Sequence, residues 1–141
     1  MRPSSFSNRN KIKLKILVFG NPLVEKDRLP LELMKELRKE FPQIEFKEFD
    51  TAEDLQNEGR ELNIIDAVEG IKKVELIIDI DSLQTSKIFS LHDFDLAYTL
   101  KLLKKMKMID SVRIFGVPMN AKKEDAFMQL KELIKINLNS S

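Results

Sequence analysis

Three side chains of this 141-residue sequence carry the clearest chemical potential: Asp27, Asp66 and His92, the last being the only histidine. Asp66 closes the run Leu62-Asn63-Ile64-Ile65-Asp66-Ala67-Val68. A carboxylate in such apolar company is costly to desolvate unless a partner, a metal or water meets it. Asp27 falls in the loop after the first expected strand, and His92 at the start of the helix after the fourth. Two carboxylates and one imidazole form a mixed oxygen and nitrogen set, suited to a borderline divalent ion such as nickel or zinc with open coordination positions. Each residue also has a plainer reading. Asp66 could simply accept backbone N–H groups of the next turn, Asp27 could be an ordinary loop or helix-start carboxylate, and His92 could bond solvent or backbone.

These residues are far apart in sequence, so only the fold can unite them. Lys13 to Phe19 is apolar at its end and runs into Gly20-Asn21-Pro22, a strand followed by a turn. Leu33, Met34, Leu37 and Phe41 then recur at helical spacing after Pro30, which predicts a helix from about Leu29 to Glu40. Ile44 to Phe49 alternates as a half-buried strand does. Asp50-Thr51-Ala52-Glu53 has the form of a capping box opening a short helix. Leu62 to Val68 reads as a third strand and Val74 to Ile80 as a fourth. The link between them is too short for a crossover helix, which predicts a hairpin.

Ser90 precedes a helix with Leu96, Leu100 and Leu103 on one face. Asp93 and Asp95 in its first turn, and Lys101, Lys104, Lys105 and Lys107 near its end, complement the helix dipole. Ser111 to Val117 is a fifth strand, and a last helix starts at Asn120 with Ala126, Leu130, Leu133 and Ile134 facing the core. Strands alternating with helices predict a three-layer α/β/α sandwich around a mostly parallel five-stranded sheet, as one domain over residues 13–138 behind a flexible leader, 1–12. In such sheets functional groups gather beyond the carboxyl ends of the strands. Asp27, Asp66 and His92 are all expected there.

Composition removes several chemistries. With no cysteine there are no thiol nucleophiles, disulfides or zinc–cysteine sites, and one histidine excludes a His-pair metal centre within a single chain. The formal charge is +1, so nothing global draws the chain to nucleic acid or anionic membrane. No apolar run reaches the length of a membrane span, and the amino-terminal residues lack a secretory stretch. A cytoplasmic setting, without membrane insertion or nucleic-acid binding, is expected.

In order along the chain, several blocks resemble one family. Gly20-Asn21-Pro22-Leu23 is similar to a strand-end Gly-Asn-x-Leu, and Ile64-Ile65-Asp66-Ala67-Val68 to a hydrophobic-hydrophobic-Asp-Ala-Val block. His92-Asp93-Phe94-Asp95-Leu96 resembles a His-x-hydrophobic-x-Leu helix start, and Phe115-Gly116-Val117-Pro118 a closing strand and turn. Together they resemble the hydrogenase maturation endopeptidases, which trim the C-terminal tail of the large subunit of nickel–iron hydrogenases. That resemblance implies an α/β sandwich and a partner in the large-subunit precursor. It also implies that Asp27, Asp66 and His92 contact nickel carried by the substrate rather than held at rest. Asp27 and Asp66 become the candidate catalytic carboxylates, with Asn21 and Thr51 as substrate contacts. Where the family has a Gly-Gly-Thr loop this chain has Phe49-Asp50-Thr51, and Lys26-Asp27-Arg28 replaces two adjacent acidic residues.

Two other readings stay open. A non-catalytic relative that holds the metal-loaded partner during hydrogenase assembly would use the same residues. A nucleotide site would need further glycines or a Walker Lys-Ser/Thr, which Gly20-Asn21-Pro22-Leu23-Val24 lacks.

Overall fold

The structure is a computed structural model, and it describes residues 14–20, 28–49, 55–78, 90–91 and 94–138. In chain order the elements are β1 (Leu14–Phe19), α1 (Arg28–Glu40), β2 (Ile44–Phe49), a 3-10 turn (Leu55–Glu58), β3 (Glu61–Glu69) and β4 (Glu75–Ile77). They continue with β5 (Ser90–Leu91), α2 (Phe94–Lys105), β6 (Ser111–Pro118) and α3 (Lys123–Leu138).

The sheet order is β2-β1-β3-β6-β4, with β5 adding to β3. β1 pairs in parallel with β2 and β3, and β3 with β6, while β4 joins β6 antiparallel. Sequence patterns explain the order. β3 is buried without interruption from Leu62 to Val68, as a strand covered on both faces must be. β2 instead alternates, with Ile44 and Phe46 buried and Glu45 and Lys47 exposed, which suits the sheet's margin. The Arg38 guanidinium of α1 donates to the Phe46 carbonyl at 2.9 Å, occupying an acceptor on that marginal strand.

Two apolar cores lie on opposite faces. Leu29, Leu33, Met34 and Leu37 of α1 and Ala126, Leu130 and Ile134 of α3 pack with Ile16, Val18, Ile65 and Phe115 on one side. Leu96, Leu100 and Leu103 of α2 pack with Leu17, Phe19, Ile64, Val68 and Ile114 on the other. The expected sandwich of a mostly parallel sheet between helices is the fold observed. Among the described residues no helix is long and apolar enough to cross a membrane.

Several local expectations are corrected. β3 and β4 do not form a hairpin. β6 takes one margin of β3 along its length and β1 and β5 share the other, so the chain turns at Gly70, where φ is +85°, and β4 pairs on the far side of β6. The fourth strand is also shorter than Val74 to Ile80, ending at Ile77. Ser90 does not precede the helix directly: it pairs with Glu69 in β5, a sixth strand too short to show a period in sequence, and α2 begins at Phe94. The last helix begins at Lys123 rather than Asn120, after a turn in which the Ala121 N–H meets the Pro118 carbonyl. The leader and the capping-box residues 50–53 lie outside the described residues.

Candidate functional site

Asp66 lies inside β3, three positions before its last residue, and is 4% exposed. By strand alternation its side chain shares a face with Ile64 and Val68, the face covered by α2. In register it stands opposite Gly116 of β6. Its Oδ1 accepts the Ala67 N–H at 2.9 Å. The plainer local role foreseen for this carboxylate is therefore present.

The surroundings of Asp66 follow from topology. From β1 the chain passes through α1 to β2 on one side, whereas β3 lies on the other side of β1 and the chain after it runs through β4 and β5 to α2 on the opposite face. The connections thus diverge between β1 and β3, the switch point at which α/β sheets open a crevice beyond their carboxyl ends, one strand over from the loops that follow β3 and β6. β5 brings the chain back to this edge: Leu91 is opposite Val68, and the antiparallel pairing directs the chain back along β3 before α2 begins.

Of the residues selected from sequence, Asp66 is the one described. Asn21, Asp27, Thr51 and His92 lie outside the described residues. Their chain neighbours are informative nonetheless. Asn21 follows Gly20 at the end of β1, Asp27 precedes the first residue of α1, Thr51 comes two residues after β2, and His92 follows Leu91. Among the described residues no three acidic, histidine or cysteine side chains cluster as a metal centre.

A cleft of about 420 Å³ opens at the carboxyl ends of β3 and β6, its lining beginning two residues beyond Asp66 and Gly116. Val68, Glu69, Gly70 and Lys72 line one side, and Pro118 and Asn120 belong to the other. Sequence reasoning did not single these out. Their signals were the turn glycine after β3 and the Pro118-Met119-Asn120 stretch after β6, both at carboxyl ends. An open, mixed-polarity cleft at the carboxyl ends of two strands can seat an extended segment of another chain.

Comparison with known proteins agrees with the fold. No curated protein sequence matches the chain significantly. Three solved structures share the fold at low sequence identity. An uncharacterized protein from Wolinella succinogenes is 16% identical, with a TM-score of 0.57 over 89% of this chain and 97% of its own. A hydrogenase 3 maturation protease is 20% identical, with a TM-score of 0.57 over 84% and 87%. The endopeptidase HycI from Escherichia coli is 21% identical, with a TM-score of 0.50 over 82% and 85%. Beyond fold, the family profile of HycI, the hydrogenase maturation protease, matches residues 50–140, a stretch that includes Asp66 and His92 and leaves out Asp27. With more than half of its length matched, the chain belongs to the hydrogenase maturation protease family.

Proposed function

We propose that this protease removes the C-terminal tail of a nickel-loaded nickel–iron hydrogenase large-subunit precursor, in the cytoplasm, with Asp27, Asp66 and His92 meeting the nickel that the substrate carries. The observation that carries the reading is the position of Asp66: a buried carboxylate on a strand that flanks the sheet's switch point, with a cleft opening two residues further on at that strand's carboxyl end. A buried carboxylate gains most from an incoming cation, because attraction is strong where water is scarce. A carboxylate and an imidazole also suit nickel while leaving positions for the substrate's own ligands.

In this reading the metal arrives with the substrate and reports that its site has been filled. Asn21, after β1, and Thr51, after β2, contact the tail. A water attacks the scissile carbonyl, with Asp66 or Asp27 as general base and the substrate's metal drawing charge from the carbonyl oxygen. Retention of only the Thr in Phe49-Asp50-Thr51 supports a second reading, a relative that holds the loaded precursor without cutting it.

Intact-mass analysis of loaded and nickel-free precursor separates these readings. Loss of a C-terminal peptide only from loaded precursor is expected with the wild-type protein, and a fall of about 10²-fold or more in rate with Asp66→Asn or His92→Ala. Asn at 66 keeps an oxygen for the Ala67 N–H, so the fold is retained. Unchanged trimming by Asp66→Asn would sink the assigned role, and nickel-dependent binding without any mass change would establish the holding relative.

A further inference from the structure

The outward side of α2 is apolar where a surface helix normally carries polar residues. Its inward side, Leu96, Ala97, Leu100 and Leu103, is buried. On the opposite side Tyr98, Leu102 and Met106 are 58%, 42% and 56% exposed. Residues four apart on a helix are neighbours, and the Met106 N–H still bonds the Leu102 carbonyl, so these three form one continuous stripe. Lys101, Lys104, Lys105 and Lys107 border it, and from Leu96 to Ile109 the sequence contains no carboxylate. Among the described residues no ion pair engages these lysines.

We propose that this face docks a folded, acidic protein surface, namely the body of the precursor whose tail reaches the Asp66 region. The inference rests on the proposed function and adds a second contact to it. α2 begins three residues after Leu91, which stands opposite Val68, so the helix starts at the same edge of the sheet as Asp66. Its twelve residues extend about 18 Å from there. A protein too large for the cleft must rest its bulk on a neighbouring surface while its tail enters. The four lysines call for carboxylates around the contact, and Tyr and Met supply the amphipathic and adaptable area common at protein interfaces.

Other occupants fit less well. A nucleic-acid backbone is met by bare cations, whereas the apex of this helix is apolar. The stripe has no tryptophan and three apolar side chains, little to sink into a bilayer. A second copy of the same face would set lysines against lysines.

The test follows tail removal from loaded precursor at increasing salt, using wild-type protein, Leu102→Ser and the triple variant Lys101→Glu/Lys104→Glu/Lys105→Glu, with binding to uncut precursor measured in parallel. All changes are on solvent-facing positions, and thermal melting checks that each variant folds. The triple variant is expected to raise KM about tenfold or more with kcat preserved, and to lose the wild-type protein's salt dependence. Leu102→Ser is expected to raise KM without altering that dependence. Unchanged KM in both variants, with normal cutting, overturns the docking face and leaves the protease reading intact. Binding without cutting, weakened by the same variants, supports the docking face and removes the tail-cutting reading. A wild-type protein that neither cuts nor binds precursor overturns both. Retention on phosphatidylglycerol vesicles or duplex DNA that the triple variant abolishes, with KM unchanged, overturns the proposal in favour of that surface.

Discussion

Gly116 of β6 stands opposite Asp66 of β3 in the parallel register, and its lack of a side chain is set by its neighbours Val68 and Ile77. A Cβ at position 116 would lie 2.7 Å from Val68 Cγ2 and 3.3 Å from Ile77 Cδ1. Val68 is fully buried and β-branched, so it has little rotamer freedom with which to retreat. Gly116→Ala is therefore expected to cost about 1–3 kcal/mol through overpacking, read as a lower urea midpoint with an unchanged slope. An unchanged midpoint would show that the β3–β6 pair can spread at no cost. Asp66 was legible in the sequence because an aspartate after two isoleucines contradicts its surroundings. Gly116 was legible only as part of a matched block. Its physical reason is the near contact with Val68 and Ile77, residues remote from it in sequence.

At the scale of elements, periodicity located α1, β2 and β3 to within about a residue, since each has a long apolar pattern with one clear period. Pairing was less accessible. Whether β4 joins β3 or β6 depends on which margins are free, and that is settled by β1, more than forty residues earlier. β5 has two residues and no period at all. The buried row of α2 was readable from Leu96, Leu100 and Leu103, but its second apolar row became visible only once the inward face was fixed.

The end of α2 holds a further element-level feature. The Lys107 N–H bonds the Lys104 carbonyl at 3.0 Å and the Met108 N–H bonds the Leu103 carbonyl at 2.9 Å, the pair that closes a helix through a left-handed residue. That residue is Lys107, with φ of 61°, where glycine is the usual occupant. The Arg60 guanidinium donates to the Lys107 carbonyl at 2.8 Å and to both Asp110 carboxylate oxygens, which holds the strained turn in place. Lys107→Gly is expected to relieve the strain and stabilise the protein by about 0.5–1 kcal/mol, seen as a rise in Tm. A fall in Tm would mean that the extra freedom of glycine in the unfolded chain outweighs the relief.

For the whole molecule, stability against pH follows from which carboxylates the fold holds ionised. The chain carries 24 Lys and Arg against 23 Asp and Glu, so protonating the acids leaves a strongly cationic, self-repelling molecule. Two carboxylates add specific contributions. Glu58, whose side chain is largely buried, bonds the Lys15 ammonium and lies 3.0 Å from that of Lys47, which ties the 3-10 turn to β1 and β2. Desolvation alone would raise its pKa, but the two lysines together outweigh that and hold it below the usual carboxylate range. Asp110 is held low chiefly by its hydrogen bonds to Arg60, on an exposed surface where such a pair contributes little to stability. A carboxyl whose folded pKa lies below its unfolded one stabilises the fold fully above the unfolded value. That contribution is lost as pH falls through the folded value. Glu58→Gln is thus expected to cost about 1–2 kcal/mol near neutral pH, reduced from a fully buried charged bond because both lysines are partly in water. The gap between variant and wild type should be constant from pH 7 down to the usual carboxylate range, then close as pH drops further and Glu58 protonates. Urea midpoints measured between neutral pH and the acid limit of folding read this directly. A gap that stays constant throughout would show that Glu58 acts through shape and packing alone, and that its charge does not hold the turn against the sheet.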